Sequence, residues 1–258
     1  MSNPGARSLV FDLDGTICFD GRTIDQRIRS AIQRRVDAGY RLVFASARPV
    51  RDMLPVLDGD FGTATLIGGN GSLVSVGGDV RARAFIDPTS LGSLLAACGR
   101  WGATYLVDGP WDYAYTGSPD HPLRARIDQG LLARQVEVAD LPEVVKFLVL
   151  TAEDMPALAA AGRELGLVVN HHLEESIIDI SPAATTKWEA LRAIGHTRYI
   201  AFGNDLNDID LLRNAARAIR VGAHPSLDHV AHLTVLADPE AVAAEIDRLP
   251  AVIADPVG

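Results

Sequence analysis

The chain has 258 residues, enough for one large or two modest domains at roughly 150 residues each. Apolar residues make up 48% and charged residues 22%, a globular balance that excludes a disordered chain and allows a substantial core. The formal charge of -9 opposes docking on nucleic acid or anionic lipid, and no apolar run is long enough to span a bilayer.

Met1 to Ser8 lack the basic-then-apolar pattern of a secretion signal, so a soluble cytoplasmic protein is expected. Cys18 and Cys98 are too few for a disulfide framework and show no metal-ligand spacing, which suits a reducing compartment. Of the 24 basic residues only Lys146 and Lys187 are lysines, so each lysine asks for an explanation.

In chain order, Leu9 to Phe11, Leu42 to Ala45 and Leu66-Ile67 read as short buried strands, each ended by Gly, Asp or Ser. Between the first two, Ile28, Ala31, Ile32 and Val36 form a helical stripe within 25–39, and Gly39 sits where a helix would stop. Leu73 to Val76, Gly77-Gly78 and Val80 to Phe85 read as a hairpin. From Asp87 the pattern changes. A helix stripe through Leu91, Leu94, Leu95 and Cys98 leads to strands at Thr104 to Val107, Tyr113 to Tyr115 and Val144 to Leu150. A helix over Met155 to Leu165 and strands at Leu167 to Val169 and Ser176 to Ile180 complete an α+β stretch. Alternation then resumes with a helix from Lys187, a strand at Tyr199 to Phe202, a helix through Ile209 and Leu212, and a strand at Ala218 to Val221. The expected fold class is α/β. A Rossmann-like parallel-sheet core, 1–86 plus 181–258, carries an inserted α+β domain over 87–180.

Phe11-Asp12-Leu13-Asp14-Gly15-Thr16 directly follows the first strand, and parallel sheets gather ligands at the carboxyl ends of their strands. Two carboxylates one residue apart at such an end, followed by a glycine turn, can aim one side chain at a ligand with a backbone carbonyl beside it. The plain alternative is a surface turn, since Asp and Gly are turn formers. Three further elements fall where such a site would need them: Ser46 after the second strand, Lys187 at a helix start, and Gly203-Asn204-Asp205-Leu206-Asn207-Asp208 after the strand at Tyr199 to Phe202. Thr186 and Glu189 suggest a capping box around Lys187. A cation in a first helical turn opposes the helix dipole, which suggests a task for this lysine.

Together these four elements resemble the signatures of the haloacid dehalogenase superfamily, and their spacing resembles its Cof-type phosphatase branch, as does Asn70-Gly71 ahead of the hairpin. The resemblance implies that the inserted stretch is a cap domain and that Asp12 is a nucleophile forming an aspartyl-phosphate. It implies that Asp14 is the acid and base serving the leaving group and water. It also implies magnesium held by Asp12, the Asp14 carbonyl and the last motif, with Ser46 and Lys187 on the phosphate; in that motif Asn204 is expected to ligate the metal, and Asp208 either supports the metal or pairs with Lys187. Gly15, Thr16, Arg48 and Asn207 complete the phosphate-binding set; Arg48 could equally be a solvated surface arginine. Asn204 stands where the branch usually has aspartate, and Ala47 replaces its usual glycine. An amide oxygen can bind a hard cation but brings no negative charge.

The resemblance points to a magnesium-dependent phosphatase acting on a small phosphorylated metabolite, with a sugar phosphate as the family-level expectation. A phosphomutase of the same fold, or a non-catalytic binding homologue, stays open, and oligomeric state is not readable. The adjacent His171-His172 would point to opposite faces of a strand and so would not share one ion. Tyr105, Trp111, Tyr113 and Tyr115 read as packing residues more readily than as a substrate pocket.

Overall fold

The computed structural model describes residues 8–250 apart from 173–175 and 184; most of the opening stretch read for a signal lies outside the described residues. The first half begins with β1 (Ser8–Phe11), α1 (Gln26–Asp37), β2 (Arg41–Ala45), α2 (Val50–Leu57), β3 (Thr65–Gly68), β4 (Leu73–Val76) and β5 (Asp79–Ala82). It continues through α3 (Pro88–Arg100), β6 (Thr104–Asp108), β7 (Tyr113–Tyr115), β8 (Lys146–Thr151), α4 (Met155–Glu164), β9 (Val168–His172) and β10 (Ile177–Ser181). Then come α5 (Lys187–Ala193), β11 (Tyr199–Gly203), α6 (Ile209–Arg213), β12 (Arg217–Val221), β13 (Leu233–Val235) and α7 (Pro239–Asp247).

Two sheets result. The first has the order β13-β12-β11-β1-β2-β3-β4-β5; its strands from β13 to β3 run parallel, and β4 and β5 add an antiparallel edge. The chain leaves β1 toward β2 on one side and returns on the other through β11, so strand order reverses beside β1. That switch point is where open α/β sheets place their ligands. Both faces are buried, as the unbroken apolar strands require. Leu9 and Phe11 pack with Ile28, Ile32, Val242 and Ile246 on one face, and Val10 packs with Leu191, Leu211 and Leu212 on the other. The Phe11 ring lies 4.9 Å from Phe202 and 6.2 Å from Phe44, tying the three central strands together just below the site.

The second sheet is antiparallel, order β7-β6-β8-β10-β9, with α3 and α4 on one face through Leu94, Cys98, Leu158 and Ala159. The aromatic cluster packs. Tyr105 sits 5.1 Å from Phe147, Tyr113 is buried under the Arg51 guanidinium at 4.9 Å, and Trp111 donates to the Leu132 carbonyl. On β9, His171 meets Arg163 at 3.1 Å, and no cluster of three or more His, Cys, Asp or Glu suited to a metal occurs among the described residues. No described helix is long and apolar enough to cross a membrane.

The predicted α/β architecture is the observed one, with three elements added. Helix α2 contains Pro55, β13 has three residues, and α7 buries Val242, Ala243 and Ile246 near the chain end. The predicted capping box at α5 is half formed. The Thr186 side chain accepts from the Glu189 N–H at 3.1 Å, but the Glu189 carboxylate turns to Arg83, 3.9 Å away.

Candidate active site

Asp12 leaves the carboxyl end of β1, flanked by the ends of β2 and β11, and is only 5% exposed. Its backbone still belongs to the sheet, donating to the Phe202 carbonyl at 3.0 Å, so its side chain is aimed by the strand. Thr16, Ile17 and Cys18 then fold back on the Leu13 carbonyl, and Gly15 turns the corner at φ +75°. A Cβ at Gly15 would displace the Asn204 amide, and the positive φ strains any other residue there.

The Asp12 carboxylate is held from two sides. Lys187 Nζ donates to Oδ1 at 2.6 Å and the Thr16 hydroxyl donates to Oδ2 at 2.9 Å. The same ammonium donates to Asp208 Oδ1 at 2.7 Å and to Asn207 Oδ1 at 3.3 Å. Asp208 in turn accepts on Oδ2 from the backbone N–H groups of Asn204 and Asp205, at 2.9 and 3.2 Å. Gly203 makes room for this: a Cβ there would stand 2.7 Å from Asp208. Lys187 and Asp208 are buried and paired, as charges in an interior must be.

Burial pushes the Asp12 carboxyl up to about 7; the Lys187 cation pulls it down and the Asp208 charge pushes it up again. Burial alone would discharge Lys187, but the Asp12 and Asp208 carboxylates outweigh it and hold this ammonium above its ordinary value. The lysine that works against its helix dipole is stabilised instead by two carboxylates.

One terminal atom of the Asn204 amide lies 2.9 Å from Thr16 Oγ1 and 3.0 Å from both Asp12 Oδ2 and the Asp14 carbonyl oxygen. With nitrogen at that position, the amide donates to those oxygens. With oxygen there, a carboxylate, a carbonyl and an amide oxygen converge. Neighbouring ligands of an octahedral magnesium ion, at about 2.0 to 2.1 Å from it, stand roughly 2.9 Å apart, close to the 3.0 Å between this amide atom and each of the other two groups, and the hard-oxygen chemistry of the three suits that ion.

Asp14 points out of the cluster, its side chain 48% exposed, and is gripped by Arg48 through two hydrogen bonds. Arg48, read from the sequence as a phosphate contact, therefore sits on the second carboxylate. Ser46 is buried at the end of β2, and its hydroxyl accepts from the Arg48 N–H at 3.1 Å. The structure thus gathers Asp12, Thr16, Lys187, Asn204, Asn207 and Asp208 around one carboxylate. Ser46 lies on the adjoining strand end, and Asp14 and Arg48 pair at the rim.

Several residues escaped the sequence reading or stood in it without a role. Asn70, seen only as part of a resemblance, accepts from Asn207 Nδ2 at 3.1 Å. From the second sheet, Asp108 pairs with Arg51 of α2, both fully buried, and Lys146 and Asp179 face the site loops. A charge inside the apolar run Ile177-Ile178-Asp179-Ile180 was the signal available for Asp179.

Residues 9–246 match the family model described as haloacid dehalogenase-like hydrolase. The chain belongs to that family. It is 26% identical over 252 residues to the HMP-PP phosphatase of Citrobacter koseri, covering 90% of each chain. A similar protein from Enterobacter, also named HMP-PP phosphatase, is 26% identical over 245 residues, with 90% of each covered. Among solved structures, a haloacid dehalogenase-like hydrolase from Bacteroides thetaiotaomicron superposes with a TM-score of 0.79 at 22% identity, covering 94% of this chain and 99% of that one. A subclass IIB sugar phosphatase superposes with a TM-score of 0.75 at 19% identity, covering 93% and 98%. The fold is shared with these structures, and the chain is a hydrolase of this family whose relatives are named phosphatases.

Proposed function

We propose that this hydrolase is a magnesium-dependent phosphatase that removes the phosphoryl group from a small metabolite through an aspartyl-phosphate on Asp12, acting in the cytoplasm. The observation that carries the reading is the Lys187 ammonium held between Asp12 and Asp208 at the sheet's switch point, with the Asn204 amide 3.0 Å from both Asp12 Oδ2 and the Asp14 carbonyl. When bound, magnesium would supply positive charge that offsets repulsion between the Asp12 carboxylate and an anionic substrate. Asp12 and the Asp14 carbonyl would hold it together with Asn204, while Asp208 anchors the loop and Lys187.

The chain's own residues do the rest. An Asp12 oxygen attacks phosphorus, the bond to the leaving oxygen breaks, and Asp14 delivers the proton that oxygen needs. Water then attacks the phosphorus of the aspartyl-phosphate and gives its proton to Asp14, which releases inorganic phosphate and restores Asp12. Arg48 holds the ionised Asp14 for the water step and releases one of its oxygens when Asp14 carries the proton, and Ser46 and Lys187 meet the transferring oxygens. The segment over 87–180 acts as a cap that shields the site from bulk water.

For the substrate, we favour a sugar phosphate. A cavity of about 150 Å3 opens beside the site between the two sheets, lined by Asn70, Asn170, Ser181, Thr185, Asn207 and Asp210 among others, with no lysine or arginine. Amides, hydroxyls and one carboxylate suit a polyhydroxylated leaving group better than a second phosphate. Phosphate release from a panel of sugar monophosphates and of diphosphates, with and without magnesium, tests this. Turnover of monophosphates supports the reading, and a preference for diphosphates overturns the substrate class.

A further inference from the structure

Lys146 opens β8 in the second sheet and is buried. Its ammonium lies 3.0 Å from Asp179 Oδ2 and donates at 3.0 Å to the carbonyl of Ala47, across the boundary between the sheets. Ala47 is the residue between Ser46 and Arg48. From Asp179 the contacts continue inward. Asn70 Nδ2 donates to Asp179 Oδ2 at 3.4 Å, Asn207 Nδ2 donates to Asn70 Oδ1 at 3.1 Å, and Lys187 Nζ donates to Asn207 Oδ1 at 3.3 Å. An unbroken run of polar contacts joins the chain's two lysines, from the second sheet to Asp12.

We propose that Lys146 is a positioning residue through which the cap sets the active site. It holds the Ser46–Arg48 loop by the Ala47 carbonyl, and through Asp179, Asn70 and Asn207 it fixes Lys187 against Asp12. The inference rests on the phosphatase reading. It also explains why a chain that otherwise uses arginine keeps lysine here: a compact ammonium can donate to a carboxylate and a carbonyl in different directions, whereas a planar guanidinium fork suits one carboxylate. A lysine that merely neutralised Asp179 would have no need of the Ala47 contact.

Two measurements test this. The double variant Lys146→Met with Asp179→Leu removes both buried charges, so neither is left unpaired, and it cuts the run at its cap end. With an aryl phosphate and magnesium, kcat should fall about tenfold while KM changes less than about twofold, and the melting temperature should report an intact fold. Lys146→Arg, which keeps the charge facing Asp179, should remain slow as well. Either variant turning over at the parent rate overturns the proposal. Because the chain has two lysines, nitrogen-15 NMR of the ammonium groups gives two signals to follow as inorganic phosphate and magnesium chloride are added. Both signals should shift, and the Lys146 response should vanish in Asn70→Ala. If Lys187 responds while Lys146 stays still, the coupling is absent and the proposal alone falls. If neither responds, the phosphate site itself is wrongly placed and the proposal falls with it.

Discussion

The guanidinium of Arg48 holds the carboxylate of Asp14 in a two-pronged grip, Nε to Oδ2 at 2.7 Å and Nη2 to Oδ1 at 2.5 Å. A fork of this kind fixes the direction of a carboxylate that is otherwise half exposed. Arg48→Lys, which keeps the charge and loses the fork, should lower kcat about tenfold and leave KM for an aryl phosphate nearly unchanged. Steady-state kinetics decide the matter. A raised KM with kcat preserved would return Arg48 to the role the sequence suggested, a contact to the substrate phosphate.

Lys187 is the counter-charge of two buried carboxylates. Lys187→Met would leave Asp12 and Asp208 facing each other without it, at a cost of about 3 to 5 kcal/mol in folding stability. Urea unfolding near neutral pH should show the loss, and turnover should fall at least about 100-fold. A variant of parental stability would mean that the two carboxylates are neutralised by some other group.

Asn204 contributes an oxygen to the proposed donor set without contributing charge. Asn204→Asp should therefore lower the magnesium concentration giving half-maximal binding, by about tenfold, as titration calorimetry would report. Unchanged affinity would place the Asn204 side chain outside the ion's shell, with its nitrogen turned to Asp12 and the Asp14 carbonyl.

Much of this site was legible because each central strand is an apolar run ended by a polar residue, so Asp12, Ser46 and Asn204 could be set at neighbouring strand ends from sequence alone. The pairing of Lys187 with Asp208 was one of two readings of that aspartate, and the other pairings were not legible. Asp14 and Arg48 are 34 positions apart and meet because the Gly15 turn swings Asp14 outward. Lys146 stood out by its rarity, but its partners Asp179 and Ala47 follow from strand register and from how one sheet sits on the other. Helix α2 was obscured by Pro55, and β13 is too short for a two-residue period to declare itself.

At the opposite end of β1 from these charges, His196 packs against Ser8, its Nδ1 2.5 Å from the hydroxyl. Burial, aided by the Arg41 charge, pushes its imidazole down to about 4 from an ordinary 6.5. Between those values the unfolded chain takes up a proton that the folded chain refuses, so stability rises with pH across that window and is lost as pH falls through it. In His196→Asn, which cannot titrate, the urea midpoint should depend less steeply on pH between 4 and 6.5. Parallel profiles for parent and variant would show that this imidazole titrates alike in both states.

The central claim is that Asp12 is the nucleophile, and the most direct measurement is phosphate release by the parent and by Asp12→Asn, each with and without magnesium. The account predicts magnesium-dependent turnover in the parent and none above background in the variant, with both proteins folded. Turnover that survives the substitution, or a parent inert toward every phosphate ester at high enzyme concentration, would contradict it.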